Sequence, residues 1–175
     1  MKRLIRKLFG WREGTPFSFY LTDFVFRKVL RQNASARWPV HFTSTIHNGE
    51  RITVGKDTYP GDSPNNYINA ANGIEIGSYT NLGPNVSLIS ANHDAVDNSV
   101  SIPAEPIRIG AYSWIGSQVV VLPGVQLGEF TIVGAGAVVT KSFTEGYCVI
   151  AGNPARIIKS LDKEKCLAFA RENPK

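Results

Sequence analysis

A chain of 175 residues, 43% hydrophobic and 19% charged, suits one domain with a core of its own and excludes a disordered tail. Its two cysteines, Cys148 and Cys166, and its three histidines, His41, His47 and His93, exclude a disulfide scaffold, a zinc-ligand pattern and a histidine-rich metal site. The net charge of +5 is local: residues 1–40 hold nine Lys/Arg against two acids and residues 41–175 hold ten against twelve, so the basicity belongs to an N-terminal arm and implies no nucleic-acid-binding core.

Residues 1–39 read as a basic helical arm. Leu4, Ile5, Leu8 and Phe9 alternate with Arg3, Arg6 and Lys7 in a short amphipathic helix, too interrupted by charge for a signal peptide. Phe17 to Leu30 predicts a second, aromatic-rich helix. Such an arm has two readings. Residues 1–12 meet an anionic membrane, or the arm packs on the domain and covers an open end.

From about residue 40 to 160 the pattern changes. Apolar residues recur every six positions at Ile76, Leu82 and Leu88, and again at Ile109, Ile115, Val121, Leu127, Val133 and Val139; Ile46, Ile52 and Ala70 extend the phase backwards. Glycine often follows the marker (Gly77, Gly83, Gly110, Gly116, Gly128, Gly134), and a small or β-branched residue stands four after it (Thr80, Val86, Ser113, Val119, Val125, Thr131, Ala137). Neither a helix nor a flat strand has a period of six. A parallel β-helix does, with three hexads to a triangular turn, markers stacked inside, and glycine where a corner needs positive φ or close backbone approach. The uncharged run Ile109–Gly128, long enough for a membrane span, is explained by this repeat. The phase breaks between Leu88 and Ile109, which predicts an excursion over about residues 91–105 carrying Asn92-His93-Asp94. Loops on solenoids commonly carry function. Residues 161–175 read as a C-terminal helix, ending before Pro174.

Three motifs, Ile109-Gly-Ala-Tyr-Ser-Trp-Ile-Gly-Ser117, Val133-Gly-Ala-Gly-Ala-Val-Val-Thr-Lys141 and Gly152-Asn-Pro-Ala-Arg156, together with a histidine in the excursion, resemble the hexapeptide-repeat acyltransferases. The resemblance covers roughly residues 46–160. It is nearest to the maltose and galactoside O-acetyltransferases and relatives that acetylate sugars in bacterial polysaccharide synthesis. It implies a mainly β fold, a left-handed parallel β-helix, with acetyl-CoA as co-substrate and no metal. It also implies a homotrimer with sites between neighbouring coils, working in the cytoplasm, where free thiols also belong.

The family's general base corresponds to His93. An imidazole suits removal of a hydroxyl proton near neutral pH, and Asp94, Asp97 or Glu105 is the candidate to orient it. The family's side-chain amide corresponds to Asn69, seven residues before Ile76; Asn69 or Asn72 otherwise serves only to bond a corner. For coenzyme A the resemblance points to Ser117, Ala135, Thr140 and Lys141 along one edge, then Arg156 and Lys159, with Lys141, Arg156 and Lys159 as phosphate partners. Trp114 either faces the site or packs. Cys148 reads as buried and inert. His41 and His47 read as structural or surface residues of the first coil. The expected activity is O-acetylation of a sugar hydroxyl by direct transfer, without an acyl-enzyme. The alternatives are N-acetylation of an amino or nucleotide-linked sugar, a non-enzymatic structural β-helix, and a γ-type carbonic anhydrase, which needs more histidines than this region holds.

Overall fold

The computed structural model describes residues 14–173. The helix expected within residues 1–12 lies outside them. Helix α1 (Phe17–Asp23) continues as a π-helical stretch over Phe24–Val29. The first coil starts with β1 (Thr45–His47) and β2 (Ile52–Val54). The next coils hold β3 (Tyr67–Asn69), β4 (Ile74–Ile76), β5 (Asn81–Leu82) and β6 (Ser87–Ile89). A hairpin of β7 (Asn92–His93) and β8 (Ser101–Ile102) follows. The coil resumes with β9 (Ile107–Ile109), β10 (Trp114–Ile115), β11 (Val120–Val121), β12 (Gln126–Leu127), β13 (Thr131–Val133) and β14 (Val138–Val139). It ends with β15 (Cys148–Ala151), β16 (Arg156–Ser160) and helix α2 (Lys163–Glu172).

The strands sort into three faces of a prism. The first face is β1-β3-β6-β11-β14, the second β2-β4-β9-β12, and the third β5-β10-β13-β15, all with parallel neighbours; β16 closes the third face antiparallel to β15. The run Ile109–Gly128 spans one turn of this prism and is no membrane helix.

The interior is made by stacked marker residues. Leu82, Ile115, Val133 and Ile150 align on the third face, and Ile76, Ile109 and Leu127 on the second. On the first face the column is Ile46, Ile68, Leu88, Val121, Val139. All of these are buried. Each contributes about 1.5–3 kcal/mol through removal of its side chain from water. The column corrects the expected phase of the first coils: Ile68, not Ala70, stacks between Ile46 and Leu88, and Ile52 pairs with Ile74. The early turns carry extra corner residues, so a strict six-residue count slips there.

The corners have distinct chemistry. Between second and third faces the inward positions are hydroxyls, Thr58, Thr80, Ser113 and Thr131, all buried. They satisfy corner backbone groups: Thr80 Oγ1 donates to Gly110 O (2.9 Å) and accepts from Ser113 N (3.2 Å). Between third and first faces the equivalents are apolar Val86, Val119 and Ala137. The glycine after the marker is there for close approach. A Cβ on Gly110 would lie 2.4 Å from Glu129 N and 2.5 Å from Gly128 C. Positive φ falls two residues later on the aromatic residues Tyr79, Tyr112 and Phe130, and again at Tyr147 on the next turn. Their rings stack up the corner at centroid spacings of 5.0, 4.8 and 5.6 Å. Aromatic residues rarely adopt this conformation; stacking of about 0.5–1.5 kcal/mol per pair offsets the strain.

The arm is bolted over the open end of the first coil. Asp23 accepts from Arg27 Nε and Nη2 (2.7 Å each) and from Val40 N (2.9 Å). Asn33 imitates a missing strand, with Oδ1 accepting from Ile46 N and Nδ2 donating to Ser44 O (2.8 Å each). At the other end Asp162 caps α2, its Oδ1 accepting from Lys165 N (3.1 Å).

Candidate active site

The hairpin leaves the prism at the corner between first and second faces. Its roots sit directly on the corner below. Ser90 N donates to Asn69 O (2.9 Å), and Asn72 N donates to Ser90 Oγ (2.9 Å). Asn72 Nδ2 donates to Ser90 O (2.9 Å) and Ile102 O (3.3 Å), so one amide holds both strands of the hairpin. His93 stands on β7 opposite Ser101, exposed.

The loop beyond β7 is organised by its own carboxylates. Asp94 Oδ1 accepts from Val96 N (2.8 Å) and Asp97 N (2.9 Å). Asp97 Oδ1 accepts from Ser99 Oγ (2.6 Å) and Ser99 N (3.0 Å). These bonds hold both carboxyls below their usual range, through the Asp97 and Val96 amides for Asp94 and chiefly the Ser99 hydroxyl for Asp97. Glu105 pairs with Arg108 (3.7 Å). The three acids considered as orienters of His93 are therefore each engaged elsewhere.

Asn69 lies on the outward side of β3, level with His47 on one side and Ile89 on the other. Its Oδ1 accepts from Ala71 N (3.1 Å), closing the corner; its Nδ2 points to no partner among the described residues. Leu122 and Thr140 continue this outward column, Leu122 N donating to Val139 O (3.1 Å). Thr140 and Lys141 thus stand on the same prism edge as the hairpin. Lys141 Nζ lies 5.6 Å from the Phe143 ring centroid.

The opposite edge of the first face carries Ser117 and Ala135. Gly136 N donates to Ser117 O (2.9 Å). No side chain rises over this edge at Gly136, where a Cβ would meet nothing within 4 Å, or at Gly152, where only Pro154 O lies as near as 3.7 Å. Such a track leaves room for an extended chain lying against backbone. Arg156 starts β16 beside Ala151 at the top of this edge, its Nη1 donating to Ala155 O (2.9 Å).

The first face therefore gathers Asn69, His93, Thr140 and Lys141 along one edge and Ser117, Ala135 and Arg156 along the other. Lys159, opposite Val149, stands apart on the third face. Trp114 also belongs to the third face, exposed between Asn81 and Ile132, and does not support the hairpin. His47, read as a structural or surface residue of the first coil, shares the outward column with Asn69. Asn72, read as bonding a corner, does so and thereby ties down the hairpin. The alternation of strand β1 would have placed His47 outward, but only the 22-residue offset to Asn69, hidden by the irregular early turns, puts the two side by side. Cys148 is buried, and burial pushes its thiol up, which leaves it a poor nucleophile.

Residues 106–141 match the family described as bacterial transferase hexapeptide (six repeats). The match spans 36 of the chain's 175 residues. It is 35% identical over 77 residues to a candidate colanic acid biosynthesis acetyltransferase, WcaF, of Escherichia coli strain K12, a match covering 44% of this chain and 41% of that protein. The chain thus matches less than half the length of this relative. Among solved structures, the maltose O-acetyltransferase of Clostridium difficile 630 superposes with a TM-score of 0.62 at 32% identity, over 69% of this chain and 64% of that one. A galactoside acetyltransferase in complex with coenzyme A superposes with a TM-score of 0.67 at 26% identity, over 94% of this chain and 80% of that one. All three of these relatives are named acetyltransferases, one of them with coenzyme A bound.

Proposed function

We propose that this protein is a hexapeptide-repeat, acetyl-CoA-dependent O-acetyltransferase that acetylates a sugar hydroxyl in the synthesis of a bacterial cell-surface polysaccharide. The observation that carries the reading is the first face: a hairpin imidazole on one edge, a free amide donor beside it, and a bare backbone track with a cation at its head on the other. Acetyl-CoA lies with pantetheine along Ser117 and Ala135 and phosphates toward Lys141 and Arg156, with Thr140 beside them and Lys159 reached only by a flexible end of the cofactor.

Transfer is direct. The acceptor oxygen forms a bond to the thioester carbonyl carbon as His93 takes its proton. Asn69 Nδ2 donates to the acceptor or to the oxyanion that develops. Collapse of the tetrahedral intermediate breaks the carbon–sulfur bond, and the thiolate takes up a proton from the imidazolium. Sites lie between neighbours in a homotrimer, whose next copy covers the open first face. The enzyme works in the cytoplasm, where unpaired Cys148 and Cys166 stay reduced, and residues 1–12 add a cationic contact for an anionic membrane.

The test is thiol release from acetyl-CoA against panels of sugars bearing free hydroxyls or free amines. Turnover with hydroxyl acceptors supports the proposal. Turnover confined to amines would replace it with N-acetylation, and none with either, together with no binding of coenzyme A in calorimetry, would leave a structural protein.

A further inference from the structure

The helical arm is amphipathic in the inverted sense. Its side toward the prism holds the buried Asp23–Arg27 ion pair. Its outward side is apolar: Phe17 is 66% exposed, Leu21 55%, Phe24 58%, Val29 62% and Leu30 61%. Positions 17, 21, 24 and 25 recur at helical spacing on one face, and Phe42, packed against Phe26 with ring centroids 5.1 Å apart and itself exposed, widens that face. A helix on a water-facing surface normally turns charge outward, and a contiguous apolar patch of this kind marks a docking surface.

The charges around the patch select its occupant. Lys28, Arg31 and Arg37 are exposed. Asp23 is the sole acid between residues 14 and 49, and it is buried in its ion pair. The segment therefore exposes apolar side chains and cations together, with no exposed carboxylate of its own. Two copies meeting face to face through this same surface would bring like charges together; a contact with a different face of a neighbour is the outcome that sedimentation separates. A bilayer with anionic headgroups meets both features at once: side chains enter the acyl boundary while Lys28, Arg31 and Arg37 stay among the phosphates. No helix among the described residues is long and apolar enough to cross a membrane, so the contact is interfacial.

We propose that the outward face of residues 17–42 is a docking surface for an anionic lipid bilayer. The arm's polar side is fixed to the first coil through Asp23, Arg27 and Asn33, so the surface is presented rigidly and holds the prism at the membrane. This stands on the arm alone and does not depend on the acetyltransferase reading.

The experiment is flotation of the full chain with vesicles of phosphatidylcholine alone or with about one third phosphatidylglycerol. Binding to the anionic vesicles at low salt, weakened at least tenfold in 0.5 M salt, is expected. The combined variant Leu21→Ser, Phe24→Ser should lose at least tenfold in vesicle affinity with its melting temperature unchanged, because both side chains are exposed. Lys28→Glu, Arg31→Glu should also lose anionic binding, with folding intact. Absence of binding to anionic vesicles at low salt overturns the proposal. So does equal binding by the Leu21, Phe24 variant. A change of oligomeric state in that variant, read by sedimentation, overturns it in favour of a protein contact on this face.

Discussion

Asn72 offers a direct test of how the hairpin is held. Substitution Asn72→Ala removes the two bonds from Nδ2, to Ser90 O at 2.9 Å and Ile102 O at 3.3 Å, and leaves the backbone bond to Ser90 Oγ in place. Each lost bond is worth about 0.5–1.5 kcal/mol net, so the pair anchors the hairpin by about 1–3 kcal/mol. The hairpin strands are exposed at its base and tip and the loss is local, so melting of the prism should shift by no more than about 3 °C. If His93 acts only from the anchored position, the same energy is lost from the transition state. At about 1.4 kcal/mol per tenfold, kcat should fall roughly 5- to 150-fold, while KM for acetyl-CoA stays near that of the unmodified enzyme. Asn72→Asp, alike in shape but without the donor, should fall with alanine. Steady-state thiol release measures all of this. A kcat within twofold of the unmodified protein, for both variants, would refute the view that this amide positions the base.

Other consequences are simpler. Gly110→Ala forces a Cβ to within 2.4 Å of Glu129 N; overpacking of this kind costs about 1–3 kcal/mol, so calorimetry should show melting lowered by roughly 3–10 °C. Gly136→Ala meets open space but keeps a φ of +71°, and should cost only about 1–2 kcal/mol through strain. Lys141→Ala and Arg156→Ala should each raise KM for acetyl-CoA roughly 10- to 150-fold, the effect of losing one charge-assisted phosphate contact of about 1.5–3 kcal/mol, with kcat little changed. The Asp94 and Asp97 carboxyls sit below their unfolded value of about 3.9, so the order they give the loop is complete above about pH 4 and is lost as the pH falls through their folded values. Amide shifts of Val96, Asp97 and Ser99 followed by NMR should hold steady down to about pH 4; movement beginning near pH 6 would contradict the assigned bonds.

Legibility of the sequence differed along the chain for physical reasons. From Ile76 to Val139 each hexad is one side of a nearly regular triangle, so markers, corner glycines and the excursion stood out directly. The first coils take 22 residues from Ile46 to Ile68, because corners there hold extra residues, and the spacing that identifies a stack fails. That failure hid both Ile68 as a core residue and His47 as a neighbour of Asn69. The aromatic corner ladder was invisible because residue preference points away from positive φ at Tyr112 and Phe130; only ring stacking across turns explains it. Strand β16 lay within the stretch read as coil, but its antiparallel course depends on the reversal over residues 152–155. The separation of the cofactor candidates onto two edges of one face, with Lys159 beyond both, needs the prism itself.

The central claim is that one imidazole on the hairpin removes the acceptor's proton while the cofactor's affinity rests on other residues of the first face. Its most direct measurement pairs turnover with calorimetric binding of coenzyme A in His93→Ala, with His47→Ala as the control. The account predicts that His93→Ala binds coenzyme A with unchanged affinity and loses about 10²- to 10⁴-fold in kcat, the range for removal of a general base, whereas His47→Ala retains most of its turnover. Full turnover in His93→Ala, or collapse of activity in His47→Ala alone, would contradict it.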